Sequence, residues 1–355
     1  MRNGLNIASV SEYVHEIVAV PTEARIRFSL LATRLSEELI EVRTLPVWAG
    51  TIRVVRDFRI GIDLAGRGGE WRSTGPITAT AIGGCVTATF VQGASARGVT
   101  LDQLGLQVRL AVTPDGVELA YGWQPQCEAS DAMLVDLARY VCCLSPNHRT
   151  LVEANQIQVT GAAAPVDGHG LVAPARSVVA DAWIAWRYGT HLRSAISDHD
   201  VLEVDQPKQY LGLDRAPNPQ EYLLAALAAD VLAALPPPAR SERPDRRRVV
   251  ASGSLDMRGI LNMSENAPVG VHDIEVGAVG DERGDATAAE AEAVRSALSA
   301  SPTAELICRP QQISVTVRRG ERLVHHLRSD LKAQEALLAG LRAARQVEEL
   351  AATPR

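Results

Sequence analysis

The sequence has little cysteine, and the few cysteines form no pattern. Five occur among the 355 residues: Cys85, Cys127, Cys142, Cys143 and Cys308. The paired spacings that bind zinc are missing, and so is the dense cysteine framework of small secreted domains. We therefore expect no metal site and no disulfide-stapled fold. The compartment expected for such a chain is the reducing cytoplasm.

Long apolar runs, a leader segment and an excess of positive charge are also missing. No stretch has the unbroken apolar length of a membrane-spanning helix, and the first residues lack the charged-then-apolar pattern of a signal peptide. The net charge of −6 argues against a large nucleic-acid surface, and the basic run at 240–248 is typical of a solvated loop. With 46% hydrophobic and 22% charged residues, the chain is predicted to be globular and long enough for two domains.

Two helices that are apolar on every side dominate what is present. The clearer one is Ala216 to Leu235, a long Ala/Leu run in which Asp230 is the polar interruption. The other is Gly75 to Gln92, where the interruption is Cys85. A helix without a polar face must be covered all round, so both are predicted to lie at the centre of the core.

The segments that follow these helices also match. Ser145-Pro146 precedes an alternating strand at 156–160, and Ser301-Pro302 precedes another at 312–316. The interrupting residues of the two helices lie 145 residues apart (230 − 85), and the Ser-Pro pairs lie 156 apart (301 − 145). The shared order of helix, Ser-Pro, short turn and strand predicts an internal repeat, with a modest insertion in the second copy.

We expect an α+β protein of two tandem domains, each with a bent antiparallel sheet around its long buried helix. The predicted parts are a first domain at 1–160, a linker rich in Gly, Ala and Pro at 161–175, a second domain at 176–325 and a C-terminal helix at 326–355. A domain duplicated in one chain is often a fused dimer, so we expect an intramolecular pseudo-dimer. The C-terminal helix has one apolar face, which packs on the body or binds a partner.

Three motifs carry a family resemblance. The segment 218–229 reads NPQEYLLAALAA, the segment 253–261 reads GSLDMRGIL, and the segment 145–151 reads SPNHRTL. They are similar to three segments of the OsmC/Ohr proteins: Asn-Pro-x-Glu-x-Leu-Leu-Ala-Ala-x-x-x-Cys, Gly-x-Leu-Asp-x-Arg-Gly-x-Leu and Cys-Pro-Val-x-x-Thr-Leu. These proteins are bacterial thiol-dependent hydroperoxide reductases and their relatives. The resemblance spans nearly all of 176–320 and, more weakly, 25–160.

The resemblance implies intertwined domains with sites at their interface, and it implies a set of site residues. Family members use a peroxidatic Cys on the central helix, with an Arg and a Glu that activate the thiol. The resemblance places the thiol at Cys85 in the first copy. In the second copy it places Asp230 at the cysteine position, with Glu221 and Arg193 as the activating pair.

The family's resolving cysteine is missing from both copies, because Ser145 and Ser301 occupy the two positions. Cys142 lies three residues before Ser145, one helical turn back on the same face, and is the candidate resolving thiol. Turnover would then depend on Cys142 or on an external thiol reductant. We therefore expect a poor general peroxidase.

Each of these residues also has a purely structural interpretation. Cys85 and Cys142 can be small core hydrophobes, and Glu221 can favour a helix N-terminus through its charge. Asp230 on an apolar helix needs a partner or a proton. The sharper prediction is one composite pocket in which Cys85 of the first copy meets Arg193 or Asp230 of the second.

Three functions follow from the sequence. The first is an OsmC-like thiol-dependent enzyme, related to organic hydroperoxide reductases, with a single site at Cys85. The second is an enzyme of other chemistry, for example biosynthetic, that uses Cys85 or Asp230 as nucleophile or acid/base group. The third is a non-catalytic binder. All three imply a small-molecule partner, no cofactor, no nucleic acid and no membrane, with the chain acting as a monomeric pseudo-dimer or a homodimer.

Overall fold

The structure is a computed structural model, and it describes residues 1–66, 72–174, 176–197, 200–235, 247–279 and 287–352. Most of the basic run at 240–248 lies outside the described residues, as does the last residue of the predicted linker. The helices are α1 (Ile7–Ala19), α2 (Thr74–Ala96), α3 (Asp131–Leu144), α4 (Pro146–Val152), α5 (Pro219–Ala234), α6 (Met257–Ile260), α7 (Ala288–Ser299), α8 (Pro302–Cys308) and α9 (Leu331–Ala352).

The strands form two sheets, so the predicted α+β class is confirmed. The strands are β1 (Arg25–Arg34), β2 (Leu39–Thr44), β3 (Val47–Ala49), β4 (Ile52–Val54), β5 (Arg59–Asp63), β6 (Gln103–Thr113), β7 (Gly116–Gln126), β8 (Ile157–Val159), β9 (Val178–Tyr188), β10 (His191–Ser197), β11 (Asp200–Val204), β12 (Arg248–Asp256), β13 (His272–Val279), β14 (Ile313–Arg319) and β15 (Arg322–Ser329). Both sheets are mixed, because each contains antiparallel pairs and a parallel one.

Strands from the two halves of the chain alternate within each sheet. In the first sheet the order runs β5-β2-β1-β12-β13-β8, with the short strands β3 and β4 beside β1. In the second sheet it runs β11-β10-β9-β6-β7-β14, with β15 at the edge. Three strands of one half are thus followed by two of the other half and one of the first. The parallel pairing falls at the same place in each order, between β13 and β8 and between β7 and β14.

The two central helices lie between the sheets and contact each other. Helix α2 packs on β9 and β6 of the second sheet, and α5 packs on β1 and β12 of the first. Gly83 allows the close approach of α2, because a Cβ there would lie 2.6 Å from Ile184 Cγ1 and 2.7 Å from Val108 Cγ2. Each helix is therefore covered by a sheet on one side and by the other helix on another, which explains why neither has a polar face.

Helix α2 is long and apolar enough to cross a membrane by length and composition alone. In the fold, however, 94% of its most apolar 18-residue window is buried. Helix α2 is therefore a buried core helix in this fold.

The Ser-Pro segments differ from the predicted short turns, because each begins a short helix. Ser145 precedes α4 and Ser301 precedes α8, with the proline at the first helical position in both. Proline suits this position because the first N–H groups of a helix have no intrahelical acceptor. The N–H of the next residue remains free to bind a group outside the helix.

Candidate functional site

Three hydrogen-bond donors converge on the sulfur of Cys85. The Ser145 hydroxyl lies 3.2 Å from Sγ, the main-chain N–H of Asn147 donates over 3.3 Å, and Gln220 Nε2 lies 3.3 Å away. All four residues are buried, with Cys85 2% exposed. The sulfur thus sits at the N-terminus of α4, in a setting that offers hydrogen bonds to a negative charge.

The site is assembled from both halves of the chain. Ser145 and Asn147 come from the first half, and Gln220 comes from the first turn of α5 in the second half. Asn147 ties the parts together: its side-chain nitrogen donates to the carbonyls of Ala81 and Pro219, and its Oδ1 accepts from Gln220. Gln220 Oε1 accepts no hydrogen bond from any described residue, so one buried acceptor is left open beside the thiol.

The resting state of Cys85 is the thiol. Burial raises its pKa to about 11, and the hydrogen bonds from Ser145, Asn147 and Gln220 oppose that rise. Within the described residues no cation forms an ion pair or hydrogen bond with the sulfur. The donors therefore favour a thiolate once it forms, but they do not generate one at neutral pH.

An apolar cavity of about 110 Å³ is lined in part by residues close in the chain to Cys85 and Ser145. It is lined by Leu5, Ile7, Val10, Thr89, Gln92, Ala96, Tyr140, Leu144, Tyr210, Leu211, Met257, Ile260 and Leu261. Thr89 lies one turn beyond Cys85 and donates to its carbonyl, while Leu144 directly precedes Ser145. Burial and the nearby Cys85 both raise the pKa of Tyr210, so this phenol lies within electrostatic range of the sulfur.

One wall of the cavity has a strained backbone. Leu211 has a φ of +63°, in the left-handed region that side chains other than glycine rarely occupy. Such conformations cost energy and persist where the surrounding structure imposes them, often beside ligand sites.

Asp230 lies in a separate cluster at the corresponding place in the second half. Its Oδ2 accepts hydrogen bonds from Ser301 Oγ at 3.2 Å, Thr303 N at 3.1 Å and Thr303 Oγ1 at 2.7 Å. The Thr74 side chain from the other half adds a further hydrogen bond. Burial raises the pKa of Asp230, and these donors oppose the rise. Asp230 is thus satisfied by its own surroundings.

The two clusters use corresponding residues. Cys85 and Asp230 occupy the same position of the two central helices, and Ser145 corresponds to Ser301. In each cluster the second residue of the Ser-Pro helix donates its main-chain N–H to the central-helix side chain. The clusters differ in the donor that the other half of the chain supplies. At Cys85 it is Gln220, whose counterpart by the same spacing (220 − 145) is Gly75, a residue without a side-chain donor. At Asp230 it is the Thr74 side chain.

Glu221 faces away from the thiol. Its carboxylate forms a fully buried ion pair with Arg56 and also accepts the main-chain N–H of Asn218 at 2.7 Å. Arg56 pairs in addition with Asp214, with 2.6 Å between Nε and Oδ1. Burial raises the pKa of Glu221 and the guanidinium opposes that rise. Glu221 therefore caps α5 and joins the two halves.

Among the described residues, the hydrogen bonds and ion pairs of Arg193 and Cys142 are made with groups other than the Cys85 sulfur. Arg193 is on β10, half-exposed, and pairs with Glu203 on the neighbouring strand β11 at 2.9 Å. Cys142 is buried, with Sγ 4.0 Å from the Tyr121 hydroxyl, and burial raises its pKa to about 12. Among the described residues, no hydrogen bond or ion pair joins Cys85 to Arg193 or Asp230.

Residues of both halves thus surround the thiol, but they are not the residues of the predicted composite pocket, Arg193 and Asp230. Gln220, the neighbour of the expected Glu221, reaches the thiol, and Asn147 links both sides. One feature of the sequence could have indicated Gln220. It precedes Glu221 in the first turn of the helix, and adjacent helical residues point about 100° apart, so Gln220 and Glu221 lie on different faces. No sequence pattern marked Asn147.

Among the described residues, no group of three or more His, Cys, Asp or Glu side chains is placed to hold a metal ion. The sequence matches no protein-family model, and the comparison with curated proteins yields no significant match. The functional argument therefore rests on the site itself.

Proposed function

We propose that this chain is an OsmC-like thiol-dependent enzyme with a single reactive site at Cys85, built as a tandem pair of domains in an intramolecular pseudo-dimer. The sheet orders support the pseudo-dimer, since each half lends two strands to the sheet of the other. The corresponding clusters at Cys85 and Asp230 support the duplication. On this proposal the domain boundaries are those expected from the sequence, and the compartment is the cytoplasm, where thiols stay reduced.

The observation that carries the proposal is the convergence of three donors on Cys85 Sγ from both halves of the chain. A cysteine that merely fills the core needs no hydrogen-bond donors, because a thiol is only a weak acceptor. A thiolate, by contrast, is stabilised by each donor. The arrangement therefore fits a sulfur that carries negative charge during a reaction.

The proposed reaction is reduction of an organic hydroperoxide. The Cys85 sulfur attacks the terminal oxygen of R–O–O–H, the O–O bond breaks, and a sulfenic acid forms on Cys85. The thiol proton passes to the departing alkoxide, which leaves as the alcohol. Gln220 Oε1, the open acceptor, orients the hydroperoxide O–H, and the apolar cavity takes the R group. A dithiol reductant, or Cys142 followed by such a reductant, returns the sulfenic acid to the thiol.

The proposal also predicts slow chemistry. With a pKa of about 11, only about one thiol in ten thousand is ionised at pH 7. The cation that activates the thiol in the family is missing from the contacts of Cys85. We therefore expect low peroxidase activity that prefers apolar hydroperoxides over hydrogen peroxide.

The test is hydroperoxide consumption by the purified protein with excess dithiothreitol, using cumene hydroperoxide and hydrogen peroxide. We expect slow consumption of the organic compound, loss of activity in Cys85→Ser, and unchanged activity in Cys127→Ser, which alters a partly exposed thiol elsewhere. Activity that survives in Cys85→Ser would rule the proposal out. A rate typical of a dedicated peroxidase would contradict the predicted weak activation.

A second function is addition of Cys85 to another electrophile, for which the donors at the sulfur would serve equally well. In such an addition an S–C bond forms, the C=C π bond of the electrophile breaks, and the thiol proton passes to the resulting enolate carbon. An α,β-unsaturated carbonyl compound of similar size tests this alternative. Stoichiometric labelling of Cys85 by that compound, with no hydroperoxide turnover, would replace the first proposal by the second.

A further inference from the structure

A buried chain of polar side chains links α4 to β7, β15 and α9. His148 contacts the Tyr121 hydroxyl through Nδ1 at 2.5 Å and Ser329 Oγ through Nε2 at 2.8 Å. Gln334 donates to Ser329 Oγ at 2.8 Å and accepts from Arg149 Nη1 at 2.5 Å. His148, Ser329 and Gln334 are fully buried. Two residues of α4 are therefore joined to β15 and α9.

The charge on His148 limits what its ring can do. Burial and the neighbouring Arg149 lower its pKa to about 3, so the ring is neutral and has one donor and one acceptor nitrogen. The ring therefore donates one of its two hydrogen bonds, to the Tyr121 hydroxyl or to Ser329 Oγ, and accepts the other. Both hydroxyls can donate or accept, and Gln334 donates to Ser329 Oγ. With either tautomer, every hydrogen bond in the chain has one donor and one acceptor.

Among the described residues, the corresponding helix of the second half has no such chain of polar side chains. Arg149 corresponds to Glu305 by the spacing of the Ser-Pro pairs (149 + 156). Arg149 pairs with Glu153 within its own segment, as Glu305 does with Arg309, but Arg149 also donates to Gln334 of α9. His148 corresponds to Ala304, which has no polar side chain. In the first half a single bridge between Ile157 and Val166 stands where the second half has the β14–β15 pair. Of the two Ser-Pro helices, the one on the thiol side is therefore the one hydrogen-bonded to β15 and α9.

We propose that Ser329 and Gln334 are positioning residues, which hold α4 through His148 and Arg149 so that the Ser145 hydroxyl and the Asn147 N–H stay directed at Cys85. The C-terminal segment then sets the reactivity of a sulfur that it does not touch. The proposal rests on the proposed function only in treating Cys85 as the reactive group. It requires that α4 transmit a displacement along two turns of helix, which its complete burial makes plausible.

The experiment measures reactivity of the thiol and needs no hydroperoxide. Alkylation of Cys85 by iodoacetamide at pH 8.5 is followed by mass spectrometry of the Cys85 peptide in Gln334→Leu and Ser329→Ala. Two controls are matched to them: Leu338→Ala weakens the packing of α9 by an apolar side chain, and Glu305→Gln alters the corresponding position of α8. A second measurement is the S–H stretching band of Cys85 in the vibrational spectrum, which is assigned by its disappearance in Cys85→Ser. The position of this band reports directly on the hydrogen bonds at the sulfur.

We expect alkylation about tenfold slower in Gln334→Leu and Ser329→Ala, the effect of losing one hydrogen bond to an anionic group, with a shift of the S–H band. Both controls should stay within about twofold of the wild type on the same scale. Unchanged alkylation in both test variants, or equal slowing in Leu338→Ala, would overturn the proposal. If Gln334→Leu does not fold, the proposal is decided by comparing the alkylation rate of Cys85 in Ser329→Ala with that in Leu338→Ala. Loss of hydroperoxide activity with these alkylation results intact would count against the proposed function only.

Discussion

The Cys85 cluster and the Asp230 cluster have the same construction and opposite character. Each places a central-helix side chain at the start of a Ser-Pro helix, beside the serine and the free N–H of that helix. At Asp230 a carboxyl group, a strong acceptor, meets four donors. At Cys85 a weak acceptor meets three, and one of those donors, Gln220, carries an open acceptor of its own.

The difference shows how the same duplicated arrangement can stabilise the fold at Asp230 and support a reactive group at Cys85. A carboxylate that is fully hydrogen-bonded has no reason to react and fixes α5 against α8. The hydrogen-bond donors around a cysteine stabilise its neutral thiol only weakly. They stabilise the sulfur much more strongly when it carries a negative charge. The apolar cavity lies on the Cys85 side, which is where the difference in character would put a substrate.

The largest effect should come from removing the acceptor of the satisfied cluster. Asp230→Ala leaves the hydroxyls of Ser301 and Thr303 and the N–H of Thr303 without their partner, so we expect a loss of about 3–5 kcal/mol in the free energy of unfolding. Cys85→Ala removes only a weak acceptor and should cost about 1 kcal/mol. Urea denaturation of both variants measures the contrast. Equal losses would mean that the clusters are energetically alike.

The next largest effect should be a pH dependence of the free energy of unfolding that comes from titration of the Cys85 thiol. The folded thiol has a pKa of about 11 against an ordinary value of 9.0, so above pH 9 the unfolded chain releases this proton first. The contribution of the neutral thiol is therefore complete below pH 9 and is lost as the pH rises toward 11, amounting to about 3 kcal/mol. The alanine variant has no such proton, so only the wild type loses this stability. We therefore expect its advantage of about 1 kcal/mol over Cys85→Ala to fall over that range and to change sign. Parallel curves would contradict a buried neutral thiol.

A smaller effect separates Gln220 from its neighbour. Gln220→Leu removes one of the donors at the sulfur, and we expect alkylation of Cys85 at pH 8.5 to slow about tenfold with little loss of stability. Glu221→Gln is the matched control: it breaks the buried pair with Arg56, so stability should fall by about 3 kcal/mol while alkylation stays unchanged. If Glu221→Gln slows alkylation and Gln220→Leu does not, the assignment of the two residues is reversed.

The smallest effect should be at Arg193. Its ion pair with Glu203 is half-exposed on both sides, and such pairs contribute less than about 1 kcal/mol. Arg193→Ala should leave both the melting temperature and the alkylation rate of Cys85 nearly unchanged. A marked fall in alkylation would bring Arg193 back into the site as first expected from the sequence.

The features of the fold that depend on a local sequence pattern could be predicted from the sequence. The apolar run of α5 and the Thr- and Gly-containing run of α2 predicted two central helices, because no other position can bury such surfaces. The repeat predicted corresponding sites. The exchange of strands between the halves, such as β1 with β12, is a long-range pairing that leaves no periodic signal. For the same reason the sequence did not predict the contact of Gln220 with Cys85; the residues predicted there were Arg193 and Asp230.

The predicted partners of Cys85 failed to come together for a physical reason as well. Alternation along β10 places Arg193 on the opposite face from Leu192 and Ser194, both buried, and Ser194 contacts Thr80 of α2. Its guanidinium therefore points away from the central helices. Asp230 lies in its own corresponding cluster, so a shared pocket with Cys85 would require the two clusters to merge.

The central claim is that Cys85 alone is the reactive group, in a site formed by both halves. It is tested most directly by treating the protein with a stoichiometric amount of cumene hydroperoxide in the presence of dimedone, and locating the sulfenic acid adduct by mass spectrometry. We predict an adduct on Cys85, strongly reduced in Gln220→Leu and unchanged in Glu221→Gln, with the other four cysteines unlabelled. An adduct confined to Cys127, the partly exposed cysteine, or equal labelling of Cys85 in both variants, would contradict the account.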